Sequence, residues 1–238
     1  PADLHAAAII DVTGGMLDEH IDLSICPEAS RSFPGQPGLI VRDTDGTPLL
    51  PKFCFASENH EGGLSLSYSD TENGLTLTVT FAVDAETHII TCQTTLDATH
   101  PVHLHWLAAP VLPAPQLSDD MIDVSGRWCG EFQLSRTAWS PGMRYRENRT
   151  GRTGHEHFPG LIVPCRGATN TMGEAYAFHY GWSGGHRMLA EELPDGRRQI
   201  QWGHAARMET DAQMQFKTAP LYITYSNTGL NGCAVAFQ

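Results

Sequence analysis

Two apolar/polar alternations joined by Asn73-Gly74 constrain this chain more than any other feature. Residues 64–69 read LSLSYS and residues 75–83 read LTLTVTFAV. Successive side chains on a strand point to opposite faces, so each run offers one dry face and one wet face. Asn-Gly between such runs is a strong hairpin signal. Further runs rich in β-branched and aromatic residues follow at 89–96, 102–108, 175–182, 188–193, 199–203, 214–217 and 221–226, with Asp195-Gly196 as a second tight turn. Alternation of this kind belongs to antiparallel sheets packed face to face, not to parallel βαβ units. Helix-like segments are few: residues 2–10, and residues 188–193 as an ambiguous case. The chain is therefore expected to be all-β, a large antiparallel β-sandwich of many short strands. Residues 111–117 (VLPAPQL) are the most linker-like stretch and read better as an extended connection, so residues 1–238 are read as a single domain. No 20–50-residue repeat points to a propeller or solenoid.

Charge and composition narrow the partners. Asp and Glu number 27 against 15 Lys and Arg, a formal charge of -12 that repels phosphate backbones and argues against nucleic acid. No apolar run approaches the roughly 18 residues of a membrane-spanning helix, so no membrane partner is expected. Cys26, Cys54, Cys92, Cys129, Cys165 and Cys233 are scattered without a CxxC pair. In a chain this long they read as reduced thiols of a cytoplasmic protein. The absence of an initial methionine before Pro1 and of a tail after Gln238 reads as a pair of cuts within a longer protein.

Several motifs invite a catalytic reading. Residues 181–185 (GWSGG) match the GxSxG nucleophile elbow, with Ser183 as nucleophile and Glu191 and His204 available in order. That elbow needs a strand, a sharp turn and a helix within an alternating α/β framework, and this chain supplies strands; the glycines fit a hairpin turn as well. His103 and His105, and likewise His155 and His157, are spaced to share one strand face and so one edge of a metal. A wet strand face is the simpler account, and no metal is expected. Arg136, Arg144, Arg146, Arg149 and Arg152 cluster in an otherwise acidic chain, reading as ion-paired or as an interface. Trp106, Trp128, Trp139, Trp182 and Trp202 are either core residues or platforms for sugar rings. Glycosidases use two carboxylates flanking the bond, and nothing in the sequence pairs any two here. No catalytic residue is assigned.

Four ordered blocks carry a resemblance to a known family: residues 126–132 (GRWCGEF), 149–160 (RTGRTGHEHFPG), 173–185 (GEAYAFHYGWSGG) and 218–232 (TAPLYITYSNTGLNG). Residues 26–38 (CPEASRSFPGQPG) add a fifth. In this order they resemble the N-terminal domain of melibiase/raffinose-type bacterial alpha-galactosidases, glycoside hydrolase family 36. The family pattern reads the first block, Gly126-x-Trp128-x-x-Glu131, as a strand. The resemblance implies a supersandwich like that of galactose mutarotase, with one or two strands ahead of Pro1. It also implies that the catalytic aspartates lie on a following (β/α)8 barrel that this sequence lacks, and that no cofactor is required.

The resemblance further implies a homo-oligomer, commonly a tetramer. In it a loop near the front of the domain reaches a neighbouring active site and an acidic residue contacts galactose hydroxyls. The matching stretch is residues 13–21 (TGGMLDEHI); Asp18 is the best positional match for substrate binding and Asp22 the second, both being solvated loop carboxylates on the simpler account. The expected function is thus a non-catalytic domain supporting the barrel and the oligomer interface of an enzyme that hydrolyses terminal α-linked galactose. Two rivals remain: a free-standing carbohydrate-binding module using exposed tryptophans, and a mutarotase-like epimerase using His155, His157 and either Glu156 or Glu174.

Overall fold

The computed structural model describes residues 22–152, 154, 156–205 and 211–238. In chain order the first strands are β1 (Leu39–Arg42), β2 (Pro48–Leu49), β3 (Cys54–Asn59), β4 (Leu64–Asp70), β5 (Leu75–Val83), β6 (Ile90–Leu107), β7 (Leu112–Pro113) and β8 (Asp120–Arg127). They are followed by β9 (Gly130–Ala138), β10 (Gly142–Asn148), β11 (Gly160–Pro164), β12 (Ala175–Tyr180), β13 (His186–Glu192), β14 (Arg198–His204), β15 (Gln213–Lys217) and β16 (Leu221–Ser226), and a helix α1 (Leu230–Ala236). The larger sheet has 12 strands along the order β3-β4-β5-β6-β16-β12-β11-β8-β9, with β1 and β15 joined to β6 off this path and β2 to β1. The smaller sheet has 4, in the order β10-β13-β14-β7. Every strand pair is antiparallel, as the alternation requires.

The sheets face each other across one core. Met121, Leu161, Val163, Phe178 and Leu221 from the larger sheet meet Met188, Ala190, Ile200 and Trp202 from the smaller. A second cluster, with Leu75, Leu77, Val79 and Leu96, fills the β3–β6 half of the larger sheet. Complete burial of each such side chain contributes roughly 2 kcal/mol. The β4–β5 hairpin is as expected, with Gly74 at φ +62° in the turn. So is the β13–β14 hairpin, where Gly196 takes φ +84°.

Three expectations need correcting, and one ambiguity is resolved. Residues 89–96 and 102–108 are one continuous strand, the 18-residue β6. Pro101 does not end it because β15 pairs Gln215 with Asp97 and Gln213 with Val102, so the intervening β6 residues lie at a ladder irregularity that demands no amide donor of proline. Residues 188–193, ambiguous between strand and helix in the sequence, are strand: His186–Glu192 lies between β10 and β14, its residues 188–190 all buried. Gly126-x-Trp128-x-x-Glu131 is not one strand: it is the end of β8, a turn at Trp128-Cys129 and the start of β9, with Gly126 at φ +155° and Cys129 at +63°. Residues 181–185 form no hairpin; they carry the chain from β12 in the larger sheet to β13 in the smaller. The helix expected at residues 2–10 falls outside the described residues.

Polar ties fix the two sheets in register with one another. Asp123 on β8 is buried, and its Oδ2 accepts hydrogen bonds from Arg144 Nε (3.0 Å), Arg144 Nη2 (2.7 Å) and Arg146 Nε (3.0 Å) on β10. Trp106 Nε1 on β6 donates to Gln201 Oε1 on β14 at 2.8 Å. The loop over residues 26–38 is clamped to the smaller sheet, where Gln36 N donates to Glu191 Oε2 (2.9 Å) and Gln36 O accepts from Gln201 Nε2 (2.7 Å). Removing one partner of a buried ion pair leaves the other charge uncompensated. Asp123→Ala is therefore expected to lower unfolding free energy by about 2–3 kcal/mol, discounted for the partial exposure of both arginines. Urea denaturation checks this: the midpoint falls while the slope is unchanged.

Candidate functional site

A cleft that combines a tryptophan platform with several polar groups opens at the seam between the sheets. It holds about 290 Å³ and is lined by Trp106 and His105 of β6, Trp182, His204 of β14, and Gln215 and Lys217 of β15. The long β6 supplies the floor because its residues 104 and 106 point into the sandwich while β15 pairs farther back along the same strand. Trp182 stands at the mouth, 43% exposed, its ring edge-on to His204 with centroids 5.0 Å apart. Such a surface can stack a ring and donate hydrogen bonds from lysine and glutamine. Among the described residues no carboxylate lines it.

The residues singled out in the sequence fare differently. Asp18 and His155 lie outside the described residues. Asp22 is half-buried and immediately precedes the buried run 23–28. Ser183 is exposed, yet the segment after it is strand β13, not a helix, so the nucleophile elbow does not form. His103 and His105 share the outward face of β6, where burial, then the charges of Arg42 and His103, lower the proton affinity of His105. Among the described residues no three His, Cys, Asp or Glu side chains assemble into a metal-binding group. Glu174, one candidate for the epimerase reading, accepts a hydrogen bond from Tyr225 Oη at 2.7 Å, and Glu156 is exposed.

Four of the five clustered arginines pair with carboxylates of the same chain. Arg136 pairs with Asp120 at 3.1 Å, Arg144 and Arg146 with Asp123, and Arg149 with Glu147. Glu147 also binds Arg187 (2.9 Å), whose guanidinium lies 5.2 Å from the Trp106 ring centroid and 5.1 Å from that of Tyr145. Of the tryptophans, Trp106, Trp139 and Trp202 are core residues, while Trp128 and Trp182 are exposed. The sequence signal missed the Asp123 site altogether, since one aspartate in a strand carries no mark of two arginines 21 and 23 residues onward.

Burial holds the imidazoles of His179, His186 and His204 below the ordinary 6.5. For His186 the carbonyl of Gly184 opposes this and His157 and His179 reinforce it; for His204 a backbone hydrogen bond with Lys217 opposes it. In the unfolded chain these groups regain their ordinary affinity and bind protons the folded state refuses. Stability is thus complete above the unfolded value and is lost as pH falls below it toward the depressed folded values. Melting curves from about pH 8 to about pH 5 are expected to show a constant Tm that declines below about 6.5. A Tm flat across that range would overturn this.

Comparison with known proteins places the chain. The sequence matches the Glycosyl hydrolase family 36 N-terminal domain over residues 9–209. It is 34% identical over 237 residues to an alpha-galactosidase of Escherichia coli, covering 95% of this chain and 32% of that protein. Alpha-galactosidase AgaA of Geobacillus stearothermophilus is 23% identical over 194 residues, covering 79% of this chain and 27% of that protein. The fold is that of the alpha-galactosidase AgaB of G. stearothermophilus, with TM-score 0.80 at 18% identity over 97% of this chain and 37% of that one. The galactosidase domain of the alpha-galactosidase-sucrose kinase AgaSK gives the same TM-score, 0.80, over 90% of this chain and 33% of that one. The chain therefore spans about a third of the length of its relatives, and it belongs to the N-terminal domain family of the family 36 glycosyl hydrolases.

Proposed function

We propose that this chain is a non-catalytic N-terminal domain of an alpha-galactosidase that hydrolyses terminal α-linked galactose, as in melibiose or raffinose. The observation that carries the reading is the match over residues 9–209 together with 34% identity to an alpha-galactosidase along nearly the whole chain. The catalytic pair would sit on a barrel following residue 238, and no metal or organic cofactor is required. In the assembled enzyme the domain would support that barrel and an oligomer interface, commonly that of a tetramer. Asp18, or else Asp22, would hydrogen-bond galactose hydroxyls in a neighbouring active site. The six cysteines are unpaired and three of them, Cys26, Cys92 and Cys233, are buried, which supports placing the enzyme in the cytoplasm.

Assays with a nitrophenyl α-galactoside test this. The 238-residue chain is expected to be inactive and the version extended through the barrel active; hydrolysis by the shorter chain refutes the non-catalytic role. In the extended enzyme Asp18→Ala is expected to raise KM for raffinose severalfold with little change in kcat, and an unchanged KM removes Asp18 from the substrate site. The half-exposed Trp182 over its cleft favours one second reading, a carbohydrate-binding module. Calorimetry of galactose and raffinose against the 238-residue chain separates the two: heat that vanishes in Trp182→Ala supports the module.

A further inference from the structure

The outer face of the larger sheet changes character along its width. On the β4–β5–β6 side it is wet, carrying Ser65, Ser67, Thr76, Thr78, Gln93 and Thr95 opposite the buried leucines. On the β8–β11–β12 side the same face carries Ile122, Val124, Ile162 and Ala177, in register across the ladder and lining a groove of about 270 Å³. Phe158 and Phe237 wall the groove, with His179 between them at ring-centroid distances of 5.3 and 6.1 Å. The apolar surface runs on past the groove. Leu134 on β9 pairs with Val124 and is 72% exposed; Phe132 contacts Phe158 at 5.8 Å and is 69% exposed; Trp128 at the hairpin tip is 81% exposed. Isolated exposed apolar residues need no explanation, but a continuous patch on one half of one face does.

The chain already covers part of this patch with its own next element. Helix α1 follows the last strand, folds back onto the sheet and seats Cys233 over Ala175 and Ala177, whose small side chains leave it room. Phe237, next after α1, forms the groove's rim, so residues beyond Gln238 start from the patch itself. The family assignment is to an N-terminal domain, and the E. coli relative has about two-thirds of its length outside the matched part. The geometry points to the polypeptide that follows Gln238 in the full-length enzyme as the occupant: it docks its apolar surface on the groove and on Phe132, Leu134 and Trp128. This rests on reading the chain as the N-terminal part of a longer enzyme, and adds which face receives the rest.

Hydroxyl-radical footprinting of the full-length enzyme tests the assignment, with Val83 and Leu50 as exposed apolar references on other strands and loops. Trp128, Phe132 and Leu134 are expected to label several-fold more slowly than their intrinsic reactivities, and to stay protected when the enzyme is diluted to single protomers. Labelling at the full intrinsic rate overturns the proposal. Protection that disappears on dilution gives the face to a second copy and overturns it as well. The second arm is Leu134→Glu, at an exposed position that does not enter the domain's core. In the full-length enzyme it is expected to split one calorimetric transition into two, the domain melting apart from the remainder; a single unshifted transition refutes the docking. Hydrolysis of the nitrophenyl α-galactoside by the unsubstituted enzyme reports on the underlying reading separately. An active enzyme with an unprotected face refutes the docking surface alone, and an inactive one refutes the enzyme assignment.

Discussion

Strand β6 is the constraint from which the rest of the architecture follows. Its 18 residues are hydrogen-bonded along one edge to β5 and along the other to β16 and then β15, and its far end pairs with β1. Ladder hydrogen bonds and side-chain alternation act together here. Cys92, Thr94, Leu96 and Ala98 point into the core at the same parity as Val102 and Trp106, so one strand fills both halves of the larger sheet. Trp106 then reaches the smaller sheet through Gln201, and its ring shares the Arg187 guanidinium with Tyr145. The seam cleft exists because β6 continues past the point where β15 leaves it.

The fold class was legible because period-two alternation is a direct image of a half-buried strand. Strands β4, β5 and β16 appear in the sequence with nearly their true limits, and both Asn73-Gly74 and Asp195-Gly196 make the turns they encode. Strands β8 to β11 were not recognised from periodicity. Along β9 most side chains are exposed, including Phe132 and Leu134, so its apolar residues do not mark a core face. The run 188–193 is ambiguous between strand and helix for a related reason: a strand held between two others, under the larger sheet, is buried on several consecutive positions and loses its alternation. Pro101 hid the continuity of β6, since the irregularity that accommodates it depends on a strand that comes over a hundred residues later.

Site chemistry was legible chiefly as exclusions. Ser183 needed a helix after it and has a strand. Arg136, Arg144, Arg146 and Arg149 needed partners, and the carboxylates that pair with them, Asp120, Asp123 and Glu147, come from β8 and from β10 itself. Pairings across sheets are set by topology, so no local spacing could announce that Asp123 ties β8 to β10. Family identity, by contrast, was carried by ordered blocks. Those blocks map onto a hairpin tip, the loop after β10, β12 with its crossing to the smaller sheet, and β16 with the start of α1. Most of them are turns and connections, where residue identity answers to backbone geometry more than to burial.

The order in which β6 acquires its neighbours has a consequence for how the protein is made. β5 precedes β6 directly and can pair with it as soon as both leave the ribosome. The opposite edge waits for β15 and β16; the bond from Gln93 to Thr218 spans 125 residues. At ordinary elongation rates that delay is on the order of ten seconds. For that interval a nascent hairpin with Leu75, Leu77, Val79 and Leu96 on one face presents a bare ladder edge to solvent and to other chains. Synthesis interrupted before Thr218 would leave the edge open permanently, so the C-terminal quarter of the chain is also the seal against premature strand exchange.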